Sequence, residues 1–160
     1  MADGDFELQD LYRDVLIDYY RDATYKGEIQ NPDLSAHGAN PTCGDEIKLT
    51  VRKEGDVIKE VRFSGCGCVI SQASSTMMCE AVEGKTVDHA RELIAAFRKM
   101  MIENGPVSEL PEDIGETEAL EGVRKFPIRV KCAILAWITF RQGLDENLKG
   151  RASAQYTEVS

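Results

Sequence analysis

Residues 47–63, IKLTVRKEGDVIKEVRF, constrain the fold more than any other stretch of the chain. Ile47, Leu49 and Val51 alternate with Lys48, Thr50 and Arg52, and an apolar row resumes at Val61 and Phe63 after Glu54-Gly55-Asp56. A period of two puts the apolar set on one face of a pleated strand, and the glycine-centred punctuation supplies a turn. The segment therefore predicts an antiparallel hairpin with one buried face, its second strand opened on that face by either Val57 or Ile58. A lone hairpin is marginal in water, so the remaining chain has to cover that face.

Helical patterns flank it on both sides. In residues 6–21, Leu8, Leu11, Tyr12, Val15, Leu16 and Tyr19 recur at three-and-four spacing, which predicts a first helix. Residues 22–41, with two each of proline, glycine and asparagine, read as a long surface loop with a short edge strand near residues 36–39. After the hairpin, VISQASSTMMCEAVEG sets Ile70, Ala73, Met77 and Ala81 on one stripe and closes at Gly84. Thr86 then caps a further helix with Asp88 in its first turn, a buried stripe of Val87, Ala90, Ile94, Phe97 and Met101, and a stop at Asn104-Gly105-Pro106. An acidic, punctuated stretch at residues 107–121 leads through a helical turn at 116–122. KFPIRVKCAILAWITFRQGL then reads as extended around Pro127 and as a helix apolar on nearly every side through Phe140. The polar tail, residues 149–160, reads as frayed. The expectation is an α+β fold of about three antiparallel strands with helices packed on one face. It occupies one domain over residues 1–160, its compact core at about 6–144.

Charge narrows the function. With 28 acidic against 19 basic residues, a net charge of −9 and no Lys/Arg run, the chain is not expected to bind nucleic acid. No apolar run approaches the ~20 residues of a membrane span, and the acidic opening MADGDFE lacks the basic start of a signal peptide. A cytoplasmic protein is expected. Five cysteines, an odd number, fit a reducing compartment where thiols serve metals or redox chemistry.

The thiols sit at element junctions. Cys43 and Asp45 precede the hairpin, Cys66 and Cys68 follow it, and Cys132 lies near the start of the last helix. A helix N-terminus favours thiolate, a setting this reading gives to Cys68 and Cys132. Three sulfurs and the Asp45 carboxylate would complete a tetrahedral zinc shell. The spacing matches no standard finger, so a buried thiol beside a loop-capping carboxylate stands as the alternative. Cys79 reads as a small buried hydrophobe and Cys66 as a packed thiol or a sulfur relay. His37 and His89 read as surface histidines, and Met77, Met78, Met100, Met101 and Trp137 as core.

Three ordered motifs then resemble one family. Asn40-Pro41-Thr42-Cys43-Gly44-Asp45, Gly65-Cys66-Gly67-Cys68-Val69-Ile70-Ser71 and Arg129-Val130-Lys131-Cys132 are similar to the signatures of the IscU/SufU iron–sulfur assembly proteins, also called NifU N-terminal-like. The resemblance implies the SufE/NifU-like fold and places metal ligands at Cys43, Asp45, Cys68 and Cys132. Cys66 falls at a variable position and is not carried over. In the scaffold branch a histidine precedes the last cysteine and an LPPVK-like peptide engages a chaperone. Here Lys131 and Phe126-Pro127-Ile128 stand in those places, and the acidic insertion at 105–122 resembles the SufU branch.

That branch implies a zinc-dependent sulfurtransferase, a sulfur acceptor for a pyridoxal-phosphate cysteine desulfurase of the SufS kind, serving a downstream Suf scaffold. A desulfurase histidine displacing one sulfur ligand would free Cys43 to attack the persulfide, with Arg129 steadying the thiolate or the partner's carboxylates. The alternatives are a scaffold that builds and transfers a [2Fe–2S] cluster, with iron or the cluster as its cofactor, and a purely structural zinc.

Overall fold

The computed structural model describes residues 10–150 and 153–156. Its elements, in chain order, are α1 (Asp10–Arg21), β1 (Leu34–Asn40), β2 (Asp45–Glu54), β3 (Val57–Cys66), α2 (Val69–Val82), α3 (Val87–Ile102), three 3-10 segments (Val107–Glu109, Glu112–Ile114, Thr117–Lys125), α4 (Pro127–Leu148) and β4 (Ser153–Tyr156). Phe6 and Leu8, expected in the first helix, lie outside the described residues.

The hairpin forms as its alternation demands. Ile47, Leu49, Val51, Val61 and Phe63 are buried on one face. The register slips between Arg52↔Glu60 and Lys53↔Ile58, leaving Lys59 as an extra residue on β3. That bulge lets Ile58 and Val61, three apart, reach the same core, so Ile58 is fully buried and Val57 is not. Helices cover this face, with α4 on β1 and β2 and α2 on β3. On the other face, the residues before β1 cross the sheet, where Ile29 N donates to Thr50 Oγ1 at 3.0 Å and buries that hydroxyl.

Two features of the sheet depart from the sequence reading. β1 is no short edge strand: it spans seven residues between β2 and β4 in the order β3-β2-β1-β4. Its small residues Ser35, Ala36, Gly38 and Ala39 give little alternation signal, and a Cβ at Gly38 would run into the Thr139 hydroxyl of α4, so close packing requires the smallness. The tail is also not frayed throughout, because Ser153–Tyr156 pairs in parallel with β1 from Ser35 to Gly38. Three antiparallel strands thus carry one short parallel addition.

Helix α2 is buried around most of its circumference, not along one stripe, because α1, α4 and β3 all pack on it. Its buried hydroxyls are satisfied: Ser74 Oγ donates to Ala133 O at 2.6 Å and Ser75 Oγ to Ser71 O at 2.7 Å. Thr86 caps α3 by accepting from His89 N at 3.1 Å, as its position predicts. Pro127 is the first residue of α4 and not part of an extended lead-in. A proline is favoured there, since its fixed φ suits the first turn and no N–H is missed. Trp137 of α4 stacks on Phe97 of α3 with ring centroids 4.2 Å apart, and its Nε1 donates to Ser74 Oγ at 2.9 Å. Among the described residues no helix is long and apolar enough to cross a membrane.

His89 of α3 ties the acidic segment to that helix through Asp113 and pairs along the helix with Glu92 (Nδ1–Oε1 3.0 Å). The hydrogen bond with Asp113, then that with Glu92, raises the His89 pKa, and the same bond with His89 lowers that of Asp113. The raised histidine contributes stability that is complete below its unfolded value of about 6.5 and fades as pH climbs through the folded one. The depressed carboxylate contributes above its unfolded value of about 3.9 and fades in acid. Thermal melts of wild type and Asp113→Asn should therefore differ most between roughly pH 4 and 6.5 and converge by about pH 9. A gap that widens toward alkaline pH would contradict the pairing.

Candidate metal centre

The end of β1 and the start of β2 face each other as the pair Asn40↔Asp45, and the four residues between them turn the chain. Cys43 N and Gly44 N both donate to Asn40 O, at 3.2 and 2.9 Å. Gly44 has φ 73, a conformation that glycine takes without strain, and it brings Cys43 round beside Asp45. Beta-strand β3 delivers Cys66 opposite Glu46, and two residues later Cys68 is the N-cap of α2. Cys132 arrives from α4.

Cys43, Asp45 and Cys132 have donor atoms all within 4.8 Å of one another, the one such His/Cys/Asp/Glu group of three or more among the described residues. Cys68 is not part of that triad, and its Sγ caps α2 by accepting from Ser71 N at 3.5 Å. It is nonetheless joined to it: Cys68 N donates to Asp45 Oδ1 at 3.2 Å, and the Cys132 thiol hydrogen-bonds to Cys68. Arg129 lies in the first turn of α4, one turn before Cys132. Cys66 is exposed, its Sγ 3.9 Å from Gly44 O. Cys79 is buried in α2, where burial pushes its thiol pKa up, and belongs to no such cluster. His37 is exposed on β1, not in a loop, and His89 is engaged with Asp113.

The sequence reading placed Cys132 at a helix N-terminus. It sits instead in the second turn, its Sγ 3.7 Å from Ile128 O, because α4 begins already at Pro127. Only Cys68 has the N-terminal setting. Accordingly the two thiols part: the hydrogen bond from Cys132 draws Cys68 down to about 6, with Ser71 N helping against burial. Cys132 is pushed upward by that same bond, then by burial and by Asp45 and Cys43 beside it. Several potential anions crowd one small volume, so the proton that remains is held on Cys132.

Asp45 is 1% exposed and its two oxygens are unequally engaged. Oδ1 accepts from Cys68 N and from Ser71 Oγ at 3.4 Å, whereas Oδ2 has Asn40 Nδ2 at 3.3 Å. Oδ2 therefore retains a lone pair for an ion. Sequence reasoning assigned no role to Asn40, Gly67 or Ser71. A Cβ on Gly67 would collide with Ser71 Oγ and lie 2.7 Å from Asp45 Oδ1, so the loop must be bare there. Ser71 at the third position of a capped helix carried a usable signal, while an asparagine before proline reads merely as a turn residue. Three sulfurs with one buried, oriented carboxylate are a donor set that fits zinc.

Known proteins resemble this chain over most of its length. Residues 11–133 match the family described as the NifU-like N terminal domain. The zinc-dependent sulfurtransferase SufU of Bacillus subtilis is 41% identical over 86% of this chain and 91% of its own. The iron–sulfur cluster assembly scaffold protein IscU of Streptococcus pyogenes is 39% identical over 94% of this chain and 90% of its own. A crystal structure of FiSufU from Fervidobacterium islandicum AW-1 superposes with a TM-score of 0.75 at 36% identity, covering 81% of this chain and 93% of that one.

Proposed function

The chain belongs to the NifU-like N-terminal domain family, and from that premise we propose that it is a zinc-dependent sulfurtransferase of iron–sulfur cluster assembly, accepting sulfur from a cysteine desulfurase on Cys43. One observation carries the choice of acceptor. Within the close triad Asp45 and Cys132 are each 1% exposed, while Cys43 is only half-buried, so a partner's sulfur can reach Cys43 alone among them.

Cys43, Asp45, Cys68 and Cys132 would hold the zinc. Bound there, zinc does no redox chemistry and keeps thiolates deprotonated. In the transfer, the Cys43 thiolate attacks the outer sulfur of the desulfurase's persulfide. An S–S bond forms on Cys43 as the one in the desulfurase breaks, and the desulfurase cysteine leaves as thiolate, with no net oxidation. Asp45, fixed by three donors, stays in place while Cys43 swings on the Gly44 turn. Arg129 supplies a guanidinium one turn from Cys132, suited to steady an exposed thiolate or a partner's carboxylates. The partner is a pyridoxal-phosphate desulfurase of the SufS kind, the next recipient a Suf scaffold, and the setting the cytoplasm.

The similarity to a scaffold of Streptococcus pyogenes favours a second reading, assembly and transfer of a [2Fe–2S] cluster. Lys131, at the position where resemblance to the scaffold branch implies a histidine, weighs against it. The deciding assay measures alanine formed from cysteine by the cognate desulfurase, with metal content read by mass spectrometry. Zinc-loaded wild type should stimulate it and Cys43→Ala should not. No stimulation by wild type, together with a stoichiometric cluster formed anaerobically and passed to an apo-acceptor, would establish the scaffold instead.

A further inference from the structure

Asn40 occupies the centre of the site without being a ligand. It is 1% exposed, and both ends of the residue are committed. Its carbonyl oxygen receives Cys43 N and Gly44 N, so the turn that carries Cys43 hinges on it. Its side-chain Nδ2 lies 3.3 Å from Asp45 Oδ2 and 3.8 Å from Cys132 Sγ, one hydrogen for each. The second of these bonds spans 92 residues of sequence and ties the β1–β2 corner to α4. Both acceptors are groups that bind a cation as anions, and a neutral amide donates to them without adding a charge of its own. Partners of this sort orient metal ligands and raise affinity even though they never touch the ion.

The distribution of support among the four ligands gives this a direction. Cys68 is held by its place at the head of α2, and Asp45 Oδ1 by Cys68 N and Ser71. Asn40 is the one side chain that donates to both Asp45 Oδ2 and the Cys132 sulfur, whose remaining neighbours are Ile128 O and the other candidate ligands themselves. We infer that Asn40 is a positioning residue that keeps zinc in the site while Cys43 is away from it, by holding Asp45 and Cys132 together as Cys43 pivots on the Asn40 carbonyl. The inference rests on the sulfur-acceptor reading, which supplies the moment at which Cys43 departs.

The test uses Asn40→Ala and Asn40→Leu, each in wild-type and in Cys43→Ala backgrounds. Leucine fills the same volume with no polar atom, so it separates hydrogen bonding from shape. Zinc loss to excess 4-(2-pyridylazo)resorcinol is timed by absorbance, the sulfur-to-metal band is recorded on the cobalt-substituted proteins, and far-UV circular dichroism checks the fold. Both variants should lose zinc about 10–100-fold faster than their parent and shift the cobalt spectrum, and the acceleration should be larger where Cys43 is already missing. Asn40→Leu retaining zinc at the parental rate would overturn the inference, as would an equal acceleration in the two backgrounds. Should Asn40→Ala fail to fold, Asn40→Leu carries the same comparison. No desulfurase enters these measurements, so a failed sulfur-acceptor reading shows in alanine formation, and a failed role for Asn40 shows in zinc release.

Discussion

Gly67→Ala should all but abolish zinc binding while leaving the rest of the protein folded. The added methyl collides with Ser71 Oγ and stands 2.7 Å from Asp45 Oδ1, closer than side-chain carbons approach an oxygen. The serine can rotate, giving up its 3.1 Å bond to Cys68 O. Asp45 is buried and still held by Cys68 N and Asn40 Nδ2, so the methyl can be relieved only by turning its carboxylate off the ion's position. Disturbing groups around a metal costs 10–100-fold in affinity, and here a ligand itself is moved, so the loss should reach the upper end of that range or beyond. Cobalt titration reads it directly. Melting of the chelator-treated proteins should scarcely differ, and a large drop there would show that the loop serves the fold more than the ion.

Trp137→Ala should produce the largest loss of stability. The indole is fully buried, stacked on Phe97 and hydrogen-bonded to Ser74. Removing a core aromatic of this size costs about 3–5 kcal/mol, a large share of the roughly 5–15 kcal/mol a domain possesses. For a chain of this length that corresponds to a melting temperature lower by roughly 6–20 °C. Ser74 keeps a partner, donating to Ala133 O, so the penalty is mainly cavity and lost stacking. Trp137→Phe, retaining a ring and losing the indole N–H, should cost only about 1 kcal/mol of hydrogen bonding plus a smaller cavity. Because Cys132 precedes Trp137 on the same helix, the alanine variant should also bind zinc more weakly, a coupling that calorimetry with and without metal would display.

What could be read before the fold was known divides along physical lines. The hairpin and α3 were legible because their signals are local: a period of two around a glycine turn, and a threonine cap ahead of a three-and-four stripe. The candidate ligands were legible as types, and the structure brings Cys43 of the β1–β2 turn, Asp45 of β2 and Cys132 of α4 together, with Cys68 outside that close group. Strand β4 was not legible, since SAQY has neither length nor alternation and becomes a strand only because β1 offers a free edge. The start of α4 was misplaced because proline signals both an extended lead-in and a first helical residue, and only packing decides between them. Asn40 escaped for a related reason: the sulfur it reaches is 92 residues away, and nothing near it in sequence announces that.

The parallel fourth strand also bears on how metal content is to be measured. Tyr156, at the end of β4, pairs with Gly38, two positions short of Asn40, so β4 points toward the end of the sheet where the thiols gather. A polyhistidine extension fused C-terminal to β4 follows a strand that runs toward the metal centre's end of the sheet, and its imidazoles compete for zinc. Zinc stoichiometry and release rates for this protein are therefore quantities to take after such an extension has been cleaved away.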